Sequence, residues 1–125
     1  MAYRHFTEMP VWQKAHEAVL LVYELTGAFP ESEKYALTSQ MRRAAVSITS
    51  NIAEAFGRRT SKDKVRFYLH ARGSCFEVQS QNCVARDVNY LTPRDSVELD
   101  QSLNEIIHSL NKIMKTLSTR SQPQP

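Results

Sequence analysis

An all-α, up-down-up-down four-helix bundle is the fold this sequence predicts. Three observations carry it. Four successive segments space their apolar residues by three and four. Between them lie short connections marked by Gly or Pro. Nowhere does the chain alternate apolar and polar residues as a half-buried strand would. At 125 residues the chain is one domain, large enough to bury its own core without a metal or disulfide. The core is expected over about residues 6–117, with a frayed tail over 118–125. A second arrangement fits the same pattern: a longer helical hairpin that completes its core by oligomerising.

The first segment runs from Pro10 to Ala28. Proline suits a first helical turn, because the N–H it lacks would be unbonded there. Trp12, Ala15, Val19, Val22 and Leu25 form one apolar face, and Gly27 with the Phe29-Pro30 step ends the segment. A second helix is expected from Ser32, as its cap, to Phe56, with Glu31 and Glu33 at the positive end. Leu37, Met41, Ala44, Ile48, Ile52 and Ala55 share a narrow sector of it, and Gly57 follows as the C-cap.

The third helix is expected from Ser61 to Tyr90, opened by a Thr60/Asp63 capping arrangement. Its apolar stripe is broad. Val65, Leu69, Phe76 and Cys83 lie on one side, and Tyr68, Ala71, Cys75, Val78 and Ala85 lie beside them. Gly73, in mid-helix, costs about 1 kcal/mol relative to alanine, so a close helix approach or a kink is expected there. Thr92-Pro93 opens the fourth helix with Asp95 in its first turn. Leu99, Leu103, Ile106, Leu110, Ile113 and Leu117 alternate spacings of four and three, a heptad seam.

Composition excludes several classes. No apolar run approaches the roughly 20 residues that span a bilayer, and no apolar leader core opens the chain. A soluble, cytoplasmic protein is therefore expected, without membrane contact. Cys75 and Cys83 are eight residues apart on one helix, about 12 Å of rise, too far for a disulfide. They read as small buried hydrophobes. No two of the four histidines sit at i and i+4, and no cysteine pair has zinc-like spacing, so neither a metal nor a cofactor is expected.

Charge is concentrated. Residues 34–72 hold nine basic groups against two acidic ones. The densest part is Arg58, Arg59, Lys62, Lys64 and Arg66 at a helix junction. It reads either as a solvated turn or as a surface for nucleic-acid phosphates, helped by amides at the third helix's start. Phe67 and Tyr68 follow, although aromatics at helical spacing are more often core. A polar stripe on the second helix, Arg43, Ser47, Asn51 and Glu54, borders the apolar face. Arg72, Ser74 and Glu77 on the third helix are its facing candidates. Here the expectation is a hydrogen-bonded network of Arg43, Ser47, Asn51, Glu54 and Glu77; a solvated flank, a partner-binding strip and an acid–base site built on Glu54 or Glu77 are the alternatives. No nucleophile–base pair emerges, so no catalytic residue is assigned and an enzyme is not expected.

Certain strings are more specific. They include Val11-Trp12-Gln13-Lys14-Ala15, and Tyr23 with Thr26, Phe29 and Pro30. The longest is Leu37-x-x-Gln40-Met41-Arg42-Arg43-Ala44-Ala45-Val46-Ser47-Ile48. It continues through Ser50-Asn51-Ile52-Ala53-Glu54 to Gly57-Arg58. Phe67-x-Leu69 and Ala71-x-Gly73-Ser74-x-x-Glu77 follow. Together, over about residues 6–117, these resemble the four-helix-bundle proteins encoded by intervening sequences of bacterial 23S ribosomal RNA genes. The resemblance implies a bundle assembled as a ring, typically a homopentamer. It also implies kinship with the accessory variability determinant proteins of diversity-generating retroelements, which act with a reverse transcriptase and RNA. No catalytic residue carries over. Ala55 stands where the family usually has glycine, which shifts the expected helix end to Gly57. The function expected is a non-enzymatic, homo-oligomeric, RNA-associated accessory protein. The alternative is a protein-interaction scaffold, such as a reverse transcriptase accessory subunit.

Overall fold

Each of the four apolar periodicities becomes a helix. A computed structural model describes residues 2–121, with α1 over Pro10–Thr26, α2 over Leu37–Phe56, α3 over Ser61–Asp87 and α4 over Pro93–Ser121. No strand occurs among the described residues. Each helix packs on the next in the chain and α4 closes back on α1, which leaves α1/α3 and α2/α4 as the diagonals. This is the up-down-up-down bundle.

Local chemistry sets most of the ends. Pro10 occupies the first turn of α1, and the helix closes at Gly27, whose amide donates to Tyr23 O at 3.1 Å. Thr60 Oγ1 accepts from the Asp63 amide at 3.1 Å, and Thr92 Oγ1 does the same for Asp95. Gly57 caps α2, and Ala55, two residues earlier, is fully buried. α3 stops at Asp87 rather than at Tyr90. Asn89 turns left-handed (φ 66°). Its amide donates to Arg86 O at 3.0 Å and that of Tyr90 to Ala85 O at 2.8 Å. That pair of bonds satisfies carbonyls a helix end would otherwise leave open, and asparagine tolerates the left-handed conformation better than most residues.

The start of α2 departs from expectation. Ser32 caps nothing; residues Glu31–Glu33 form a 3-10 turn and the helix begins at Leu37. The cause is tertiary. Phe29 is buried against the Tyr90 ring, 5.3 Å between centroids. The Glu33 carboxylate accepts from the Tyr90 hydroxyl at 2.8 Å and from the Leu37 amide at 3.3 Å. Anchoring Phe29 and Glu33 to the α3–α4 connection holds residues 29–33 off the α2 axis.

In α4 the seam is buried at Leu99, Leu103, Ile106, Leu110 and Leu117, but Ile113 is only half-buried and Met114 takes its place. A helix turns every 3.6 residues, so a strict seven-residue pattern drifts off the core face. α4 also stays helical through Ser118–Ser121, where a frayed tail was expected. Residues 122–125 of that tail lie outside the described residues.

The broad stripe of α3 divides. Tyr68, Ala71, Cys75, Val78 and Ala85 are buried, together with Ser74, Gln81 and Asn82. Leu69, Phe76 and Cys83, seven residues apart, are exposed instead, with Leu69 at 43% and Phe76 at 52%. Only α2 and α4 pack on α3, so one side of the stripe has no neighbour within the chain. The expected close approach at Gly73 is also absent: a Cβ built there meets nothing within 4 Å. Gly73→Ala should therefore stabilise the chain by about 0.5–1 kcal/mol. A denaturant melt checks this, and a loss of stability would mean that something outside the chain touches this backbone.

The two cysteines differ accordingly. Burial pushes the Cys75 thiol up to about 12, whereas Cys83 faces solvent. The thiolate is the reactive form. At pH 8 iodoacetamide should label only Cys83 in the folded protein and both cysteines after denaturation. Intact mass counts the labels; equal labelling rates in the folded state would contradict the burial of Cys75.

Candidate nucleic-acid interface

The basic run spans the α2–α3 junction, and the structure gives its five cations different tasks. Arg58 donates to Glu54 Oε2 at 3.0 Å, one turn back on α2. Its guanidinium lies 4.5 Å from the centroid of the Phe67 ring, and the Arg66 guanidinium lies 4.9 Å from the same ring. Two guanidiniums therefore gather at one half-buried aromatic ring, attracted by its quadrupole. Arg66 also comes within 3.9 Å of Asp63. Arg59 and Lys62 are exposed and form no ion pair among the described residues.

Lys64 turns inward. Its Nζ donates to Ala55 O at 3.1 Å and to Phe56 O at 3.2 Å. The ammonium thus sits on the negative end of α2, where a cation is favoured. Desolvation holds its pKa below the ordinary lysine value. Its first role is to tie the first turn of α3 to the last turn of α2. Tyr68 is core, so of the two aromatics only Phe67 borders the junction.

The polar stripe is brought together in part. Asn51 Nδ2 donates to Ser47 O at 2.8 Å and to Ser47 Oγ at 3.1 Å, and Ser74 Oγ bonds Ser47 Oγ across α2 and α3 at 2.9 Å. Glu54 belongs to Arg58 instead. Arg43 and Glu77 are both exposed, and no bond joins them. Arg72 reaches the other way, donating to Asn111 Oδ1 on α4 at 2.9 Å.

Chemically the junction can attract anions. Among the described residues no group of three or more His, Cys, Asp or Glu side chains could hold a metal ion, and no helix is long and apolar enough to cross a membrane. A second cationic feature escaped the sequence reading. Arg42 Nε donates to Thr26 Oγ1 at 2.9 Å while its guanidinium lies 4.6 Å from the Tyr23 ring centroid. The excess of positive charge over residues 34–72 was the available signal, since it extends well beyond the densest run.

Fold and junction together define a small all-helical bundle protein, its helices neighbouring one another in chain order and its α2–α3 turn cationic. Residues 7–112 match the family described as 23S rRNA-intervening sequence protein, and the chain belongs to that family. Its fold is also similar to the crystal structure of a protein of unknown function from the S23 ribosomal protein family of Bacteroides thetaiotaomicron. That likeness has a TM-score of 0.76 at 21% identity and covers 84% of this chain and 98% of the other. No match was found among curated proteins.

Proposed function

We propose that the chain is a non-enzymatic, cytoplasmic accessory protein that associates with itself and contacts RNA phosphates through the α2–α3 junction. The observation that carries this reading is the pair of guanidiniums on Phe67, flanked by the unpaired Arg59 and Lys62. Arg58, Arg59, Lys62 and Arg66 supply the charge. Lys64 keeps the two helix ends together and adds its field. Contacts of this kind go mainly to the nucleic-acid backbone, so binding is only mildly sequence-selective. A salt titration against single-stranded and structured RNA tests it. Affinity that falls steeply with salt supports the reading, and no binding at low salt removes it.

Self-association is supported by Leu69 and Phe76, exposed two turns apart on α3, with the open Gly73 between them. An apolar helix face of this kind is costly to leave in water. The ring implied by the family resemblance gives a number to test. Light scattering at micromolar concentration should return about five times the chain mass, and a monomer would discard the ring. The same face favours a second reading, in which the assembly is a scaffold for another protein such as a reverse transcriptase. An assembled protein without RNA affinity would select it.

A further inference from the structure

α3 runs for 27 residues, and its outward face has no neighbour within the chain. At about 100° per residue, Lys62, Leu69, Gly73, Phe76, Ser80 and Asp87 fall within about 60° of one another, opposite the buried Ala71 and Val78. All of them are exposed, Leu69 at 43% and Phe76 at 52%. Their order along the helix is symmetric. Lys62 and Asp87, Leu69 and Ser80, and Gly73 and Phe76 each lie equally far on either side of a point between Ser74 and Cys75. A large apolar side chain thus mirrors a small residue twice, and a cation mirrors an anion.

Gly73 adds to this. Glycine weakens an exposed helix interior relative to alanine, and nothing in the chain uses the space it leaves, since a Cβ there meets no atom within 4 Å. The charges are available too. Lys62 forms no ion pair among the described residues, and Asp87 is held only by its neighbour Arg86, through Oδ1 at 2.9 Å.

From this symmetry we infer that the outward face of α3 docks on the α3 of a second copy of this chain, lying antiparallel to it about a two-fold axis between Ser74 and Cys75. The inference rests on the self-association proposed above and gives it a surface and a symmetry. In a two-fold contact every residue pair occurs twice, once in each direction. Phe76 packs over the partner's Gly73, whose missing side chain lets the two backbones approach, and Leu69 packs over the partner's Ser80. Lys62 meets the partner's Asp87 at each end of the contact. Each ammonium also comes to the negative end of the other helix, and each carboxylate to the positive start. Lys62 then serves this contact, which leaves Arg58, Arg59 and Arg66 to the junction. A five-membered ring cannot close through a two-fold contact and needs another face. The stability gain expected for Gly73→Ala belongs to the separated chain, because where chains pair the added methyl group lies in the contact.

Cross-linking tests the pairing. Leu69→Cys/Ser80→Cys in a Cys83→Ser background places two thiols about 16 Å apart along one helix, too far to join within a chain, and Cys75 is buried. After oxidation, a non-reducing denaturing gel should show a band at twice the chain mass and nothing above it, because two reciprocal disulfides close the pair. A ladder of larger species would mean a head-to-tail contact and overturn the two-fold assignment. Gly73→Gln, at a position open within the chain, should keep the helical circular dichroism and weaken association about tenfold or more, because it overfills the contact on both sides. Lys62→Glu should weaken association as well, and adding Asp87→Lys should restore it. Light scattering separates this inference from the reading it rests on. Assembly without the cross-link, or unchanged by Gly73→Gln, removes the α3 pair and leaves self-association standing, whereas a monomer removes both.

Discussion

Leu110→Ala should destabilise the protein by about 2–5 kcal/mol, the range for removing a large side chain from a closed core. Leu110 has no exposed surface, on a helix that packs against both α1 and α3. The loss combines the transfer free energy of the deleted carbons with a cavity that flanking helices fill only in part. Against a typical total of about 5–15 kcal/mol, that is a large fraction. Ile113→Ala is the informative control. A strict heptad seam makes the two substitutions equally costly, but Ile113 is half-buried while Met114 is 7% exposed. Its cost should be less than half that of Leu110→Ala. Urea melts of the two variants check both statements, and equal losses would show that α4 is rotated from the orientation described.

The second large effect is expected from Arg58→Glu/Arg59→Glu. If the junction binds RNA, the double reversal removes two phosphate contacts per chain. Each charge-assisted contact is worth about tenfold in affinity, so binding should weaken by about a hundredfold or more at low salt. The salt dependence should flatten as well. For single strands the log–log slope is about −0.7 per phosphate contact, so two lost contacts reduce it by about 1.4. In an assembly that engages several subunits the loss multiplies, because linked weak contacts reinforce one another. Arg58 also pairs with Glu54, but both partners are substantially exposed, and exposed pairs contribute little to stability. The fold should therefore survive. Fluorescence anisotropy across a salt series gives affinity and slope together, and an unchanged slope would reduce the junction to a solvated turn.

Much of the bundle was legible because helix formation leaves a local record. The periodicity of α1, α2 and α4, Pro10 in a first turn, the Thr60 and Thr92 caps and the Gly57 end are each decided within a few residues of chain. The caps, Pro10 and the Gly57 end stand in the structure, and so do the periodicities, except that Trp12, Leu25, Leu37 and Ile113 are only half-buried. The candidate site was legible only as charge. That Lys64 would turn inward onto two α2 carbonyls, and that Arg58 and Arg66 would meet on Phe67, depends on how closely the end of α2 approaches the start of α3.

What the sequence by itself determined, then, was the number of helices, the starts of α1, α3 and α4, the end of α2, and the apolar side of every helix but α3. Tertiary structure decided the rest. It moved the start of α2 from Ser32 to Leu37, because Tyr90, 57 residues from Glu33, holds that carboxylate. It chose which half of the α3 stripe to bury, since a stripe wider than one contact face does not say where the neighbours stand. It left Arg43 and Glu77 apart, joined Ser47 to Ser74, and gathered Lys34, Arg42 and Arg43 beside the start of α2. The physical reason is common to all of these. Backbone periodicity and capping act over one or two helical turns, whereas a polar side chain takes its partner from whichever element the packed core brings within about 3 Å.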